Sequence, residues 1–227
     1  MKKIACFCLV GALLGASAFA QELKPLTPEI SDYLPLLKAA GYEVFTYDIS
    51  SLKDETYTFA VEVQEFVNGE RVLPATNRAF NLTVTNRTMM SEFTEEQQKT
   101  IKEAYDLEKG IYSLFTKMSV GVVPLEDSVK QLVLLFDGQM RYGKRLKLKE
   151  ATAPGYEGRY LYNVRPVKVE ALQLGTFIPL VVVGSDWFDE RIGAYRFCGE
   201  KVFPADLQTE TLKLVPHYYV MGVTVTK

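Results

Sequence analysis

The stretch Val133-Leu134-Leu135-Phe136-Asp137-Gly138-Gln139-Met140-Arg141-Tyr142 decides the fold class. Asp-Gly tolerates positive φ at both central positions of a two-residue type I′ turn, so two apolar runs on either side of it read as an antiparallel hairpin. A two-residue turn sets Leu135 opposite Met140 and Val133 opposite Tyr142 on one apolar face. It sets Leu134 opposite Arg141 and Phe136 opposite Gln139 on the other. Outward from this hairpin the same period of two recurs. Tyr57, Phe59, Val61 and Val63 alternate with Thr58, Ala60 and Glu62; Phe80, Leu82 and Val84 alternate with Asn81, Thr83 and Thr85; Tyr219, Met221, Val223 and Val225 close the chain. Each predicts a half-buried strand. Asn68-Gly69 signals a second hairpin, but its arms mix Val63, Val67 and Val72 with Glu65 and Glu70. A bulge near Gln64 or a longer loop is therefore expected there.

After Gly110 further strands are expected over 112–123, 128–136, 139–148, 159–172, 177–183, 194–197 and 212–225. Many short strands with hairpin turns and few helices mean a mainly β protein, an antiparallel β-sandwich or barrel-like architecture with one or two short surface helices. One helix is announced by Thr94 as N-cap, Gln97 to complete a capping box, and Lys109-Gly110 as a stop. A second runs from Pro28 or Pro35 to Ala40 and ends at Gly41, with Leu34 and Leu37 facing inward. The first of these helices divides the chain into a β-rich half over 21–110 and an antiparallel half over 111–227. A single sandwich with a helical insertion fits the same pattern.

Residues 1–20 read as a signal peptide: Lys2 and Lys3, an apolar run from Ile4 to Ala16, and the small-x-small site Ala18-Phe19-Ala20. The apolar run is shorter than the ~20 residues a membrane helix needs, and no later run is long enough. The expected location is exported, periplasmic or at the cell surface. The chain of 227 residues carries 26 basic and 28 acidic side chains. Losing Lys2 and Lys3 makes it more acidic, which argues against nucleic acid or an anionic membrane as partner. Of the three Cys, Cys6 and Cys8 lie in the signal, and Cys198 remains, expected to be a buried thiol among Tyr195, Phe197 and Val202.

Complete catalytic sets are missing. Gly138 to Lys144 spells most of a phosphate-binding loop, but Arg145 stands where Ser or Thr should meet magnesium, and the segment is a hairpin rather than a strand–loop–helix. His217 is the single histidine, so a hydrolase triad would rest wholly on it, and a metal site of several His and Cys is not expected. No cofactor is expected. Three features invite a ligand. Arg141, Arg145, Lys147 and Lys149 form a basic row that could grip an acidic glycan, or else solvate and protect an edge strand. Tyr156 and Trp187 could stack on sugar rings, or else pack in a core. Asp186, with Asp189 and Glu190 nearby, could hydrogen-bond a sugar or serve in glycoside hydrolysis by paired carboxylates.

The signal peptide, the run Gly121-Val122-Val123-Pro124-Leu125-Glu126-Asp127-Ser128, and the stretches Pro154-Gly155-Tyr156-Glu157-Gly158-Arg159-Tyr160 and Gly184-Ser185-Asp186-Trp187-Phe188-Asp189 give a resemblance. The chain resembles the exported, uncharacterised proteins of gut Bacteroidetes classed as domains of unknown function. The resemblance implies a periplasmic or surface location and carries over no catalytic residue. Together these features predict an exported, non-enzymatic envelope protein that binds a glycan or another envelope protein. The alternatives are a self-assembling surface subunit and a glycoside-active enzyme.

Overall fold

A computed structural model of the chain describes residues 27–52, 56–72, 80–85, 88–89, 93–104, 111–112 and 115–227. The signal segment 1–20 and the helix stop at Lys109-Gly110 lie outside them. In chain order the elements are α1 (Ile30–Ala39), β1 (Glu43–Asp48), β2 (Thr56–Val67), β3 (Glu70–Val72), β4 (Phe80–Thr85), β5 (Thr88–Met89), α2 (Glu95–Ala104), β6 (Ile111–Tyr112), β7 (Lys117–Glu126), β8 (Val129–Phe136), β9 (Gln139–Lys147), β10 (Tyr162–Pro166), β11 (Phe177–Ser185), β12 (Trp187–Asp189), β13 (Ala194–Arg196), α3 (Glu210–Leu214) and β14 (His217–Thr226).

The protein is mainly β, and its antiparallel strands form a sandwich. One sheet has the order β1-β7-β8-β9; the other runs β10-β11-β14-β2-β3, with β4 also paired to β2. Tyr57, Phe59, Val61 and Val63 of β2 and Tyr219, Met221, Val223 and Val225 of β14 meet Met118, Val120, Val122, Leu132, Leu134, Phe136 and Leu146 of the four-stranded sheet in one buried core. Period-two burial is the reason: in a pleated strand one set of alternate side chains must leave water together. Strands from both sides of residue 110 enter each sheet, for β1 pairs β7 and β2 pairs β14. The division at 110 expected from the sequence is therefore not a boundary between sheets.

Both hairpin turns have the expected form. Asn68 and Gly69, and Asp137 and Gly138, all have positive φ. The second hairpin nonetheless departs from its expected register. Phe136 pairs Gln139 and Leu135 pairs Met140, but the ladder then slips and Leu134 pairs Tyr142. Arg141 is the extra residue of this β-bulge. Leu132, Leu134 and Phe136 pack in the core between the sheets, and the slip brings Tyr142 rather than Arg141 opposite Leu134. The Asn68-Gly69 hairpin corrects the reading in the other direction. Val67 pairs Glu70 and Glu65 pairs Val72 without any shift, so the inward Glu65 needs another cause.

A second core forms on the far face of the six-stranded sheet. Tyr218 and Val220 of β14 and Val182 of β11 are covered by Trp187, Phe203, Leu212 and Val215. The expected strand over 212–225 thus begins only at His217. Leu212 lies in α3, whose N-cap Thr209 accepts a hydrogen bond from the Leu212 amide at 3.1 Å. Likewise only 162–166 of the expected strand over 159–172 is regular. At α2 the capping box is formed as expected, with the Thr94 amide donating to Gln97 Oε1 at 3.0 Å and the Gln97 amide to Thr94 Oγ1 at 3.3 Å. At α1, Gly41 takes φ +85 and the Tyr42 amide donates to the Leu37 carbonyl, a Schellman stop. Leu34 and Leu37, expected inward, are exposed. Cys198 is also a correction. It is an exposed free thiol, because it lies beyond the end of β13 rather than in a packed strand.

Candidate functional site

At the end of the sandwich where β2, β14, β11 and β10 meet, the inner face of the six-stranded sheet turns polar. Two registers put the side chains there. His217 lies opposite Val67, and Ser185 opposite Tyr162; two residues further in, Glu65, Tyr219, Val183 and Val164 form a row across the same four strands. Glu65 thus points inward because of what it meets, not because of a bulge. Its Oε1 lies 3.0 Å from His217 Nε2, and the Tyr162 hydroxyl is hydrogen-bonded to His217 Nδ1.

The bond order assigns the protons. The Lys149 amide donates to the Tyr162 oxygen at 2.9 Å, which leaves the Tyr162 proton for His217 Nδ1. His217 is then the neutral tautomer with its proton on Nε2, donating to the Glu65 carboxylate. The ring is 2% exposed. Burial lowers its pKa and nearby Lys149 lowers it further, against the opposing pull of Glu65. Burial also raises the Tyr162 hydroxyl, to about 12. The Tyr219 hydroxyl is likewise raised by burial, and donates to the Lys147 carbonyl at 2.8 Å. Each member of the chain is satisfied, as a buried polar network must be to be stable.

Outside this network a cavity of about 210 Å³ opens to solvent, lined among others by His217, Ser185, Asp186, Tyr195, Lys149 and Glu150. Ser185 accepts the His217 backbone amide at 3.3 Å. Both ring nitrogens are engaged elsewhere, so Ser185 and His217 do not form a nucleophile and base. Asp186 is half-buried. Burial raises its pKa, opposed by the Asn163 side chain, whose Nδ2 donates to Oδ1 at 2.5 Å, and by Arg165. Glu150 accepts from the Gly158 amide at 2.5 Å. The Tyr195 hydroxyl accepts from the amides of Thr152 and Ala153 at 2.9 and 3.1 Å, pinning the ring at the cavity wall.

Of the residues singled out in the sequence, Asp186 and Lys149 line the cavity. Tyr156 stands one ring behind it, edge-on to Tyr195 with centroids 4.9 Å apart and with the Arg159 guanidinium 5.4 Å from its own centroid. Trp187 does not join them. It is 9% exposed, packs in the second core and has Arg196 over its ring; alternation along β12 turns its side chain to the side opposite Phe188. Asp189 is withdrawn as well, its side chain buried in ion pairs with Arg191 and Arg196 that lower its pKa. Arg145 and Lys147 are exposed on β9, while the bulge takes Arg141 out of phase and places it 5.9 Å from the Phe115 ring centroid. Tyr162 and Tyr195 stand out in the sequence only as members of an aromatic-rich stretch between Gly155 and Phe203, Glu65 only as the acid that interrupts the apolar face of β2, and Glu150 not at all.

A family model described as Domain of unknown function (DUF5041) matches residues 12–227. The chain belongs to this family. The match takes in both sheets and every residue of the cavity. No curated protein and no solved structure matches the chain. Among the described residues of this DUF5041 member, no helix is long and apolar enough to cross a membrane, and no group of three or more His, Cys, Asp or Glu could hold a metal ion.

Proposed function

We propose that the protein is an exported, non-enzymatic binding protein of the bacterial envelope, and that its cavity receives a sugar unit of a glycan. One observation carries the reading. The cavity gathers the carboxyl groups of Asp186 and Glu150, the Lys149 side chain and the ring of Tyr195, while the histidine beside them has both nitrogens engaged within the protein. Carboxylates and amides that converge on a small pocket recognise hydroxyl groups through charge-assisted hydrogen bonds. The signal-like N-terminus supports export. A glycan-array screen of residues 21–227, with calorimetry on the hits, tests it. Binding that weakens in Asp186→Asn and in Tyr195→Ala is the expected result, and the absence of any glycan ligand would sink it in favour of a protein partner.

A second reading, glycoside cleavage, has one observation in its favour: Asp186 and Glu150 line the same cavity, and burial raises the first. Two carboxyl groups facing one site are the arrangement glycosidases use. Turnover of a bound glycan that disappears in Asp186→Asn would decide for it.

A further inference from the structure

We infer that the glycan is acidic, and that β9 is the track along which its charged units lie. This rests on the cavity being a glycan site and names the class of glycan. The chain as a whole carries an excess of acids, yet residues 141–149 hold Arg141, Lys144, Arg145, Lys147 and Lys149 with no Asp or Glu among them. Lys144, Arg145, Lys147 and Lys149 are exposed, and among the described residues none of the four is in a salt bridge. The neighbours of Arg145 and Lys147 on β8 are Gln131 and Val129, both uncharged.

Strand geometry sets Arg145 and Lys147 about 6.8 Å apart on one face of β9, and Lys149, two residues on and just past the end of the strand, forms part of the cavity wall. The backbone under it is fixed from inside. The Tyr219 hydroxyl holds the Lys147 carbonyl, and the Tyr162 oxygen holds the Lys149 amide. Cations that merely deter edge pairing need neither a common direction nor a pinned base. The cavity chooses among polyanions. Asp186 and Glu150 favour a hydroxylated, uncharged unit there and repel a phosphodiester or a lipid headgroup. The ligand therefore presents an uncharged sugar to the cavity and carboxylates or sulfates to β9.

Hyaluronan hexasaccharides alternate a uronate with an uncharged sugar, and maltohexaose is an uncharged counterpart of the same length. Titrated into the protein at roughly 50 mM salt, the first should bind about tenfold more tightly than the second, since two or three exposed ion pairs are worth that much. The preference should shrink toward unity at roughly 500 mM salt, where screening is short-ranged, and in the Arg145→Gln, Lys147→Gln double variant, whose unchanged thermal unfolding certifies its fold. Equal affinities that ignore both salt and the double variant would overturn the acidic track and leave the cavity reading standing. Binding of neither sugar would overturn both. Tighter binding to a DNA oligonucleotide or to anionic vesicles than to hyaluronan would overturn the assignment to a glycan.

Discussion

β14 and β9 are strands of nearly equal length with opposite fates. β14 lies between β2 and β11 and is covered on both faces, so that every residue from His217 to Val223 is buried. β9 is an edge strand that buries only Leu146 of its described side chains, with Leu148 just beyond its end, and gives Arg145 and Lys147 to water. One strand is committed to stability, the other is available for contact. The contrast teaches where substitutions will register: in the folding equilibrium on β14 and, under the proposed function, in binding on β9.

The largest expected effect is Met221→Ala. It removes a fully buried side chain between the sheets and should cost about 3 kcal/mol in chemical denaturation with an unchanged denaturant slope. A loss below about 1 kcal/mol would mean that the sandwich core is not packed as described. His217→Ala comes next, at about 2–3 kcal/mol, because it strands the Tyr162 hydroxyl and the Glu65 carboxylate. This residue also sets a pH dependence. Its folded pKa lies below the 6.5 of the free side chain, so the unfolded chain binds the extra proton. The stabilisation is complete above 6.5 and is lost as the pH falls through that value toward the folded pKa. Unfolding curves of wild type should show this decline and those of His217→Ala should lack it.

Gly222→Ala sharpens the comparison on the backbone itself. A Cβ at that position would lie 2.4 Å from the Phe177 ring and 2.5 Å from the Ile178 carbonyl oxygen, so β11 must move away. A loss of about 1–3 kcal/mol is expected; wild-type stability would show that β11 and β14 are less closely packed. The smallest effect belongs to β9. Lys147→Gln should change the unfolding free energy by no more than about 0.5 kcal/mol, and a larger loss would show that the basic row serves the fold rather than a ligand.

Much of the β architecture is legible in residue order because it follows from local rules. Asp137-Gly138 and Asn68-Gly69 adopt the positive φ their composition permits, and the faces of β2 and β14 follow from period two. The failures have specific causes. The bulge at Arg141 depends on how β9 meets β8, and nothing within β9 announces it. β14 reads as half-buried because alternation describes one cover, whereas α3, Phe203 and Trp187 fold back to supply a second. Asp186 and Tyr156 read as ligand candidates in turn-like surroundings and Lys149 as the last of a basic row, and the structure puts them in or beside one cavity, but Trp187 carries the same composition signal and is core. An aromatic beside Gly and Asp looks alike whether its face meets water or Leu212.

By itself the sequence determined the fold class, the two turns, the cap of α2 and the segregation of cations onto one strand. Each of these depends on residues within a few positions of one another, where backbone sterics and side-chain period act directly. Only the tertiary structure decided that Glu65 and His217, 152 residues apart, share a hydrogen bond, and that Asp186, Glu150, Lys149 and Tyr195 face one cavity. The first pair is set by the register of β2 on β14, and the cavity by where the ends of β9 and β11 and strand β13 converge; both depend on the burial of whole faces rather than on any local stretch of chain.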